Sequence, residues 1–196
     1  MQNQMNDFKK DTLRKIGRRR KQSGELSMIE GAAVMAAAAL LALLAYAGGK
    51  FVMDRVHASQ FKSEAQLFHT GILDASANDT DFSSETLKTL SQNHAFDSAG
   101  SRVASGGSGV TGMFGGAVMA ATGTVINTND AMVLTYPVPA AVCALSIAAL
   151  TNAYTEVTVN GTVVSSPTTT FSSSTGATAC TSAGATASIA MYTTRS

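Results

Sequence analysis

The chain has 196 residues, 14% of them charged, and a formal net charge of +1, which suits one globular domain with an appendage. The small net charge is the sum of two unlike parts. Residues 1–24 contain eight Lys or Arg and two Asp, whereas the rest of the chain is acidic. The acidic part has no basic stripe, which argues against nucleic-acid binding.

The first notable feature is the junction between a basic leader and an apolar run. Gly24 and Glu25 follow the leader, Glu30 comes next, and residues 31–49 contain no charged residue. At about 1.5 Å per residue, those nineteen residues span roughly 28 Å as a helix, close to the thickness of a bilayer core. The basic leader suits an anionic inner leaflet and a positive-inside orientation. A cleaved secretory signal, cut near Ala47, is the alternative interpretation.

Beyond Lys50 the pattern is that of an amphipathic helix. Apolar residues recur at spacings of three and four, which predicts one buried helix face. These residues are Ala58, Phe61, Ala65, Phe68, Ile72 and Ala75. We expect a single helix over about residues 26–75, with a flexible point at Gly48-Gly49 because glycine weakens a helix. The alternative is two helices broken at that pair.

The remaining chain predicts an antiparallel sheet. Residues 78–116 are rich in small polar residues, which indicates a connecting loop with at most a short helix at 84–91. Strands are expected at 117–126, 131–138, 155–159, 162–164 and 187–194, and Pro139 favours a helix over 139–152. Asn160-Gly161 is a strong hairpin signal. A Ser/Thr-rich stretch, 165–178, follows without an assigned element. The fold class is therefore α+β: a long N-terminal helix packed on an antiparallel sheet, with one further helix.

The two cysteines are Cys143 and Cys180. They belong to no CxxC motif or Cys/His cluster, which argues against zinc and redox chemistry. An even number of cysteines in an oxidising compartment favours a structural disulfide. Closing a loop of this size contributes roughly 3–4 kcal/mol in the chain-entropy model. Two buried free thiols are the alternative.

No catalytic constellation is apparent. Residues 107–112 match GxGxxG, but no strand pattern precedes them and no acidic residue follows at the required distance, so we expect a plain loop. His57, His69 and His94 lack metal-ligand spacing and are expected at interfaces or in solvent. Asn78 and Asn160 lie in glycosylation sequons, although the turn explains Asn160 better. We expect no enzyme activity, no metal and no cofactor.

Glu30 differs from the other carboxylates because it lies at the edge of an apolar helix. A charge in lipid is costly, at about 2.5–3.5 kcal/mol at the bilayer centre and less near the surface. Removal of the leader would create a free amine on Glu25, which Glu30 of a neighbouring copy could meet on assembly. The alternative is an interfacial Glu30 that faces lipid headgroups.

Together, the basic leader, Gly24, the Leu-Ser-Met-Ile-Glu run that ends at Glu30 and the apolar helix resemble type IV pilins of the type IVb group. They look like the bundle-forming and toxin-coregulated pilins. Residues 138–143, Val-Pro-Ala-Ala-Val-Cys, resemble the start of a helix in the PilS-type pilins of conjugative thin pili. One residue departs from the pattern: cutting after Gly24 places Glu30 at mature position six, where the family has glutamate at position five.

The resemblance implies a structural subunit of a pilus. A membrane prepilin peptidase would cut after Gly24 and methylate the new amine, and an ATPase, an assembly platform and an outer-membrane secretin would build the fibre. The implied parts are a leader, 1–24, a filament-core helix, 25–50, its amphipathic continuation, 51–77, and a head, 78–196, with a disulfide-bounded surface region.

The resemblance also implies a location and a role. The precursor would lie in the inner membrane of a Gram-negative bacterium, and the fibre outside the cell would serve adhesion, aggregation or mating contact. A minor pilin or pseudopilin of a secretion system is one alternative. A bitopic membrane protein with a periplasmic domain is another, and it predicts an uncut leader.

Overall fold

The computed structural model describes the backbone of residues 23–195 and the side chains of residues 32–46 and 48–195. The predicted leader, apart from its last two residues, lies outside the described residues, as do the side chains of Glu25 and Glu30. The chain divides into two compact units, one ending at Phe51 and one beginning at Val52. Each unit is described by itself.

Four helices and six strands make up the described chain, together with two short 3₁₀ turns. The helices are α1 (Ser23–Ala75), α2 (Leu87–Gln92), α3 (Ala140–Ala153) and α4 (Ser173–Thr181). The strands are β1 (Val110–Thr111), β2 (Ala117–Gly123), β3 (Ala131–Pro139), β4 (Glu156–Val159), β5 (Thr162–Ser165) and β6 (Thr186–Thr194). The strands form one sheet in the order β1-β2-β3-β6-β4-β5, and every neighbouring pair is antiparallel.

The core of the second unit lies between α1 and one face of this sheet. Side chains alternate along β3 and β6, as expected for a sheet with one covered face. The inward residues are Met132, Leu134, Tyr136 and Val138 on β3 and Ala187, Ile189, Met191 and Thr193 on β6. The rings of Phe61 and Tyr136 lie 4.9 Å apart, which brings α1 onto the sheet. The predicted α+β fold is therefore confirmed at this level.

The predicted apolar stripe of α1 forms the helix side of this core. Five of its six residues, Ala58, Phe61, Ala65, Phe68 and Ile72, are at most 2% exposed, and Ala75 is partly buried. The backbone is helical through Gly48 and Gly49, so the alternative of two separate helices is wrong. Intact helical hydrogen bonding through this pair is compatible with glycine, which lowers helix stability without preventing helix formation.

The Ser/Thr-rich stretch contains a helix that the sequence did not reveal. Residues of α4 have low helix propensity, but Gly176, Ala179 and Cys180 fall on one buried face at spacings of three and four. Tertiary packing of this face overrides the propensity. Helix α2 lies within a residue of the short helix expected at 84–91, and α3 matches the helix expected over 139–152, so α4 is the helix that the sequence did not predict.

Strand β2 ends three residues earlier than predicted because a turn begins there. The Asp130 carboxylate accepts hydrogen bonds from the backbone N–H groups of Val125, Ile126 and Asn127 at 2.7–2.8 Å. Partial burial raises the pKa of Asp130, but these three donors outweigh it, and the net shift of the pKa is downward. Donors directed at one carboxylate hold these residues in a turn, so they are unavailable for the strand.

Gly71 lets a loop approach α1 closely. A Cβ atom at this position would lie 2.3 Å from the carbonyl oxygen of Ala95. We predict that Gly71→Ala lowers the free energy of unfolding by about 1–3 kcal/mol, because backbone must move to make room.

Gly109→Ala is the matched control, because the nearest atom to its Cβ, on Ala104, is 4.0 Å away. We expect its effect to stay within about 0.5 kcal/mol. Urea unfolding of the oxidised chain in detergent measures both values. Equal stability of the two variants would contradict the close approach at Gly71.

Candidate functional site

The first candidate site is the apolar part of α1. Its large apolar side chains between Val34 and Tyr46 are 62–77% exposed. An 18-residue window of this helix has a mean hydropathy of 2.0, with none of it buried. By length and composition the helix is able to cross a membrane. Water is a poor solvent for such a surface, which makes this part of the chain a candidate for contact with lipid or another apolar surface.

The predicted processing and assembly residues adjoin this segment. Gly24, Glu25 and Glu30 fall within the bounds of α1, but their side chains are outside the described residues. The cleavage point and the pairing of Glu30 with a new amine remain predictions.

A buried polar network holds α1 on the sheet. Glu64 is 8% exposed and lies on α1 among the core residues. Both Glu64 carboxylate oxygens accept from the guanidinium of Arg102, with Nη1 at 3.2 Å from Oε1 and Nη2 on Oε2. The Tyr136 hydroxyl also donates to Oε1 at 2.6 Å. A buried carboxylate with a bidentate arginine and a third donor has its charge well compensated.

The same network extends to the loop that follows α2. The Tyr136 hydroxyl accepts from the backbone N–H of Met113 at 2.6 Å, and Arg102 Nη1 donates to the carbonyl oxygen of Thr111 at 2.9 Å. Burial, followed by the hydrogen bond to Glu64, raises the pKa of Tyr136 well above the ordinary tyrosine value. The phenol therefore stays protonated and can donate. This arrangement ties α1, β3 and residues 102–113 together.

The sequence did not predict this network, although the position of Glu64 pointed to it. Glu64 follows Phe61 by three residues and precedes Phe68 by four, so the predicted buried face of α1 includes it. A carboxylate on a buried face requires a cation or several donors. The sequence offered no way to choose Arg102 among the available cations, because that choice depends on the path of the loop.

The predicted disulfide is present and joins two helices. Cys143 on α3 and Cys180 on α4 are fully buried, with Cα atoms 5.7 Å apart. This separation is ordinary for a disulfide. The closed loop contains most of α3, the β4–β5 hairpin and most of α4. The alternative of two free thiols is therefore wrong.

The β4–β5 hairpin is fixed within this disulfide-bounded region by its turn. Asn160 and Gly161 have φ values of 50° and 80°, as a two-residue hairpin turn requires. The Asn160 amide donates to the Ala179 carbonyl oxygen at 2.7 Å and accepts from the Ser188 N–H at 2.8 Å. The predicted turn role of Asn160 is confirmed, and the side chain also joins the hairpin to α4 and β6.

The other motifs occupy structural positions. The rings of His57 and His69 meet Phe114 and Tyr154 edge-on, with centroids 6.0 and 5.0 Å apart. His94 is exposed beside Asp97. The GxGxxG residues include Gly107, the last residue of a 3₁₀ turn, and strand β1, and they lead into strand β2. A phosphate-binding turn leads into a helix instead. The plain-loop prediction is therefore wrong at Val110 and Thr111, which pair with β2 as strand β1. The expectation that a histidine lies in solvent is confirmed for His94.

Within residues 32–195, no group of three or more His, Cys, Asp or Glu side chains is arranged to hold a metal ion. Comparisons with protein-family models, curated proteins and solved structures gave no match. The candidate functional features are therefore taken from this chain alone. They are the exposed apolar part of α1, the buried polar network around Glu64, and the region between Cys143 and Cys180.

The Tyr136 hydroxyl gives a test of the polar network. Tyr136→Phe leaves the Met113 N–H without its acceptor and removes one donor from Glu64. We expect the free energy of unfolding to fall by about 1–3 kcal/mol. Tyr192→Phe is the control, since this side chain is half-buried and its hydroxyl makes no hydrogen bond to the residues described. Chemical denaturation measures both variants, and a Tyr136→Phe protein as stable as wild type would contradict the network.

A second prediction concerns the disulfide. Replacing Cys143 and Cys180 together by serine should lower the free energy of unfolding by roughly 3–4 kcal/mol, because the unfolded chain regains its loop entropy. Reductant should lower the stability of the wild-type chain similarly and leave the double variant unchanged. If reductant had no effect on wild-type unfolding, the bond would not stabilise the fold.

Proposed function

We propose that this chain is the precursor of a structural fibre subunit, similar to a type IVb major pilin. The main support for the proposal is the exposed part of α1 over residues 32–46, which contains no charged residue. A helix of this kind is stable in lipid before assembly and against equivalent helices of other copies after assembly. The same chain can therefore be membrane-bound first and polymeric later.

The composition of residues 31–49 supports a helix that leaves the membrane. Alanine is frequent there, so the segment is only moderately apolar and its surface is smooth. Small side chains allow close packing of neighbouring helices, which drives helix association where the hydrophobic effect is absent. At about 25 cal/mol per Å² of apolar surface, leaving lipid for water would be prohibitive, whereas leaving lipid for other helices costs little.

Removal of the leader completes the assembly surface in this proposal. A prepilin peptidase cuts after Gly24 and methylates the amine of Glu25. Glu30 of one copy then meets the amine of the next copy. Neutralising a carboxylate near an apolar surface only on assembly gives both energy and register.

The fibre is built by an ATPase with an assembly platform in the inner membrane and leaves through a secretin. The disulfide-bounded region between Cys143 and Cys180 forms part of the fibre surface. This region supports adhesion, aggregation or conjugative mating contact. The subunit itself catalyses no reaction and needs no cofactor.

A bitopic membrane protein is the second candidate, because a helix able to cross a membrane suffices for it as well. The two candidates differ in processing and in location. The bitopic protein keeps its leader and stays in the membrane, whereas the pilus subunit loses the leader and leaves the cell with the fibre.

Intact mass and N-terminal fragmentation of protein sheared from the cell surface test the proposal. We expect a chain that begins at Glu25 with a mass increase of one methyl group, and that gains two hydrogens on reduction. A variant with Gly24→Val should remain full-length and yield no surface fibre, whereas the control Gly31→Ala should be processed. A full-length wild-type chain confined to membranes would contradict the proposal.

A further inference from the structure

A shallow groove lies beside α1 in the unit that begins at Val52. It has a volume of about 250 Å³, room for an incoming side chain, and is lined by Arg55, Ala58, Lys62 and Leu145. Two of the lining residues, Ala58 and Leu145, are apolar, and the other two are cationic. Lys62 is half-buried, and no carboxylate within residues 52–195 forms an ion pair with it. Such a groove suits a carboxylate group.

The same chain offers carboxylates farther along. Residues 63–87 contain five Asp or Glu and no Lys or Arg. Two of the five form ion pairs: Glu64 with Arg102, and Asp79, which lies 3.7 Å from Arg195. Asp81 also interacts electrostatically with Arg195. The Asp74 side chain, in the last turn of α1, is exposed and has no cationic partner within residues 52–195.

Lys62 and Asp74 cannot meet within one copy. They are twelve residues apart on one helix, which separates them by about 18 Å along its axis. A continuous helix holds this separation fixed. A second copy displaced along the α1 axis would bring the carboxylate of one chain to the groove of the other.

We propose that the groove formed by Arg55, Ala58, Lys62 and Leu145 receives the acidic segment 74–85 of a second copy of this chain. The contact joins two different surfaces, so it is heterologous. Heterologous contacts that repeat without closing generate open helical filaments. The inference rests on the proposed fibre function and adds a second contact between subunits, carried by the head and not by residues 31–49.

Charge reversal in the full-length chain tests this contact in cells that make the fibre. Lys62→Glu places a carboxylate in the groove, and Asp74→Lys places a cation on the acidic segment. Each change sets like charges against each other at every repeat, and we expect at least about fivefold less sheared fibre from either chain alone. Lys88→Glu is the control, since this exposed residue on α2 belongs to neither surface; it should assemble like wild type.

Co-expression of the two variant chains tests whether the two surfaces contact each other. The reversed groove of the Lys62→Glu chain fits the reversed segment of the Asp74→Lys chain, and the two unaltered surfaces fit each other. We expect mixed fibre within about twofold of the wild-type yield. Lys62→Arg, which keeps the charge, should assemble normally, and the mass shift on reduction reports that each variant has formed its disulfide.

The outcomes separate this inference from the proposed function. Normal assembly of either reversed chain would overturn the inference, as would oxidised variant chains that assemble no better together than alone. Both of those results would leave the fibre function standing. Absence of the wild-type chain from surface fibres would overturn the fibre function and this contact together.

Discussion

Helix α1 is the element on which the rest of the structure depends, because one part of it is buried in the fold and another part is an exposed apolar surface. Between Val34 and Tyr46, α1 exposes large apolar side chains that none of the described residues cover. Between Ala58 and Ile72, the same helix buries one apolar stripe against a sheet. The second part is satisfied within the fold. The first part is not, and its need for lipid or for other helices underlies the proposed function.

The second part of α1 is held by polar groups as well as apolar packing. Glu64 would destabilise a core if it stood alone, but Arg102 and Tyr136 compensate its charge and orient it. A further hydrogen bond joins the buried Tyr154 hydroxyl to the carbonyl oxygen of Ala65 at 2.6 Å. These bonds fix how α1 is rotated and how far it is advanced on the sheet, since apolar stripes alone tolerate small shifts. A subunit that polymerises benefits from such a fixed register, because each error would repeat along the fibre.

Much of the fold was predictable because the signals were local. The spacing of Phe61, Ala65 and Phe68 gave the buried face of α1, and Asn160-Gly161 gave a hairpin. Other features depend on contacts between distant residues. Helix α4 forms in a sequence of low propensity because Ala179 and Cys180 pack inward, and the choice of Arg102 as the partner of Glu64 depends on the loop path. The disulfide was predicted because two cysteines allow one pairing. The role of residues 24–30 rests on their resemblance to pilins, since their side chains lie outside the described part.

Electron cryomicroscopy of fibres sheared from the cell surface tests the central claim most directly. We expect residues 31–49 of neighbouring copies to pack on one another in the fibre interior, with the region between Cys143 and Cys180 towards solvent. Fibres built without this chain, or a chain found only as a separate membrane-spanning protein, would contradict it.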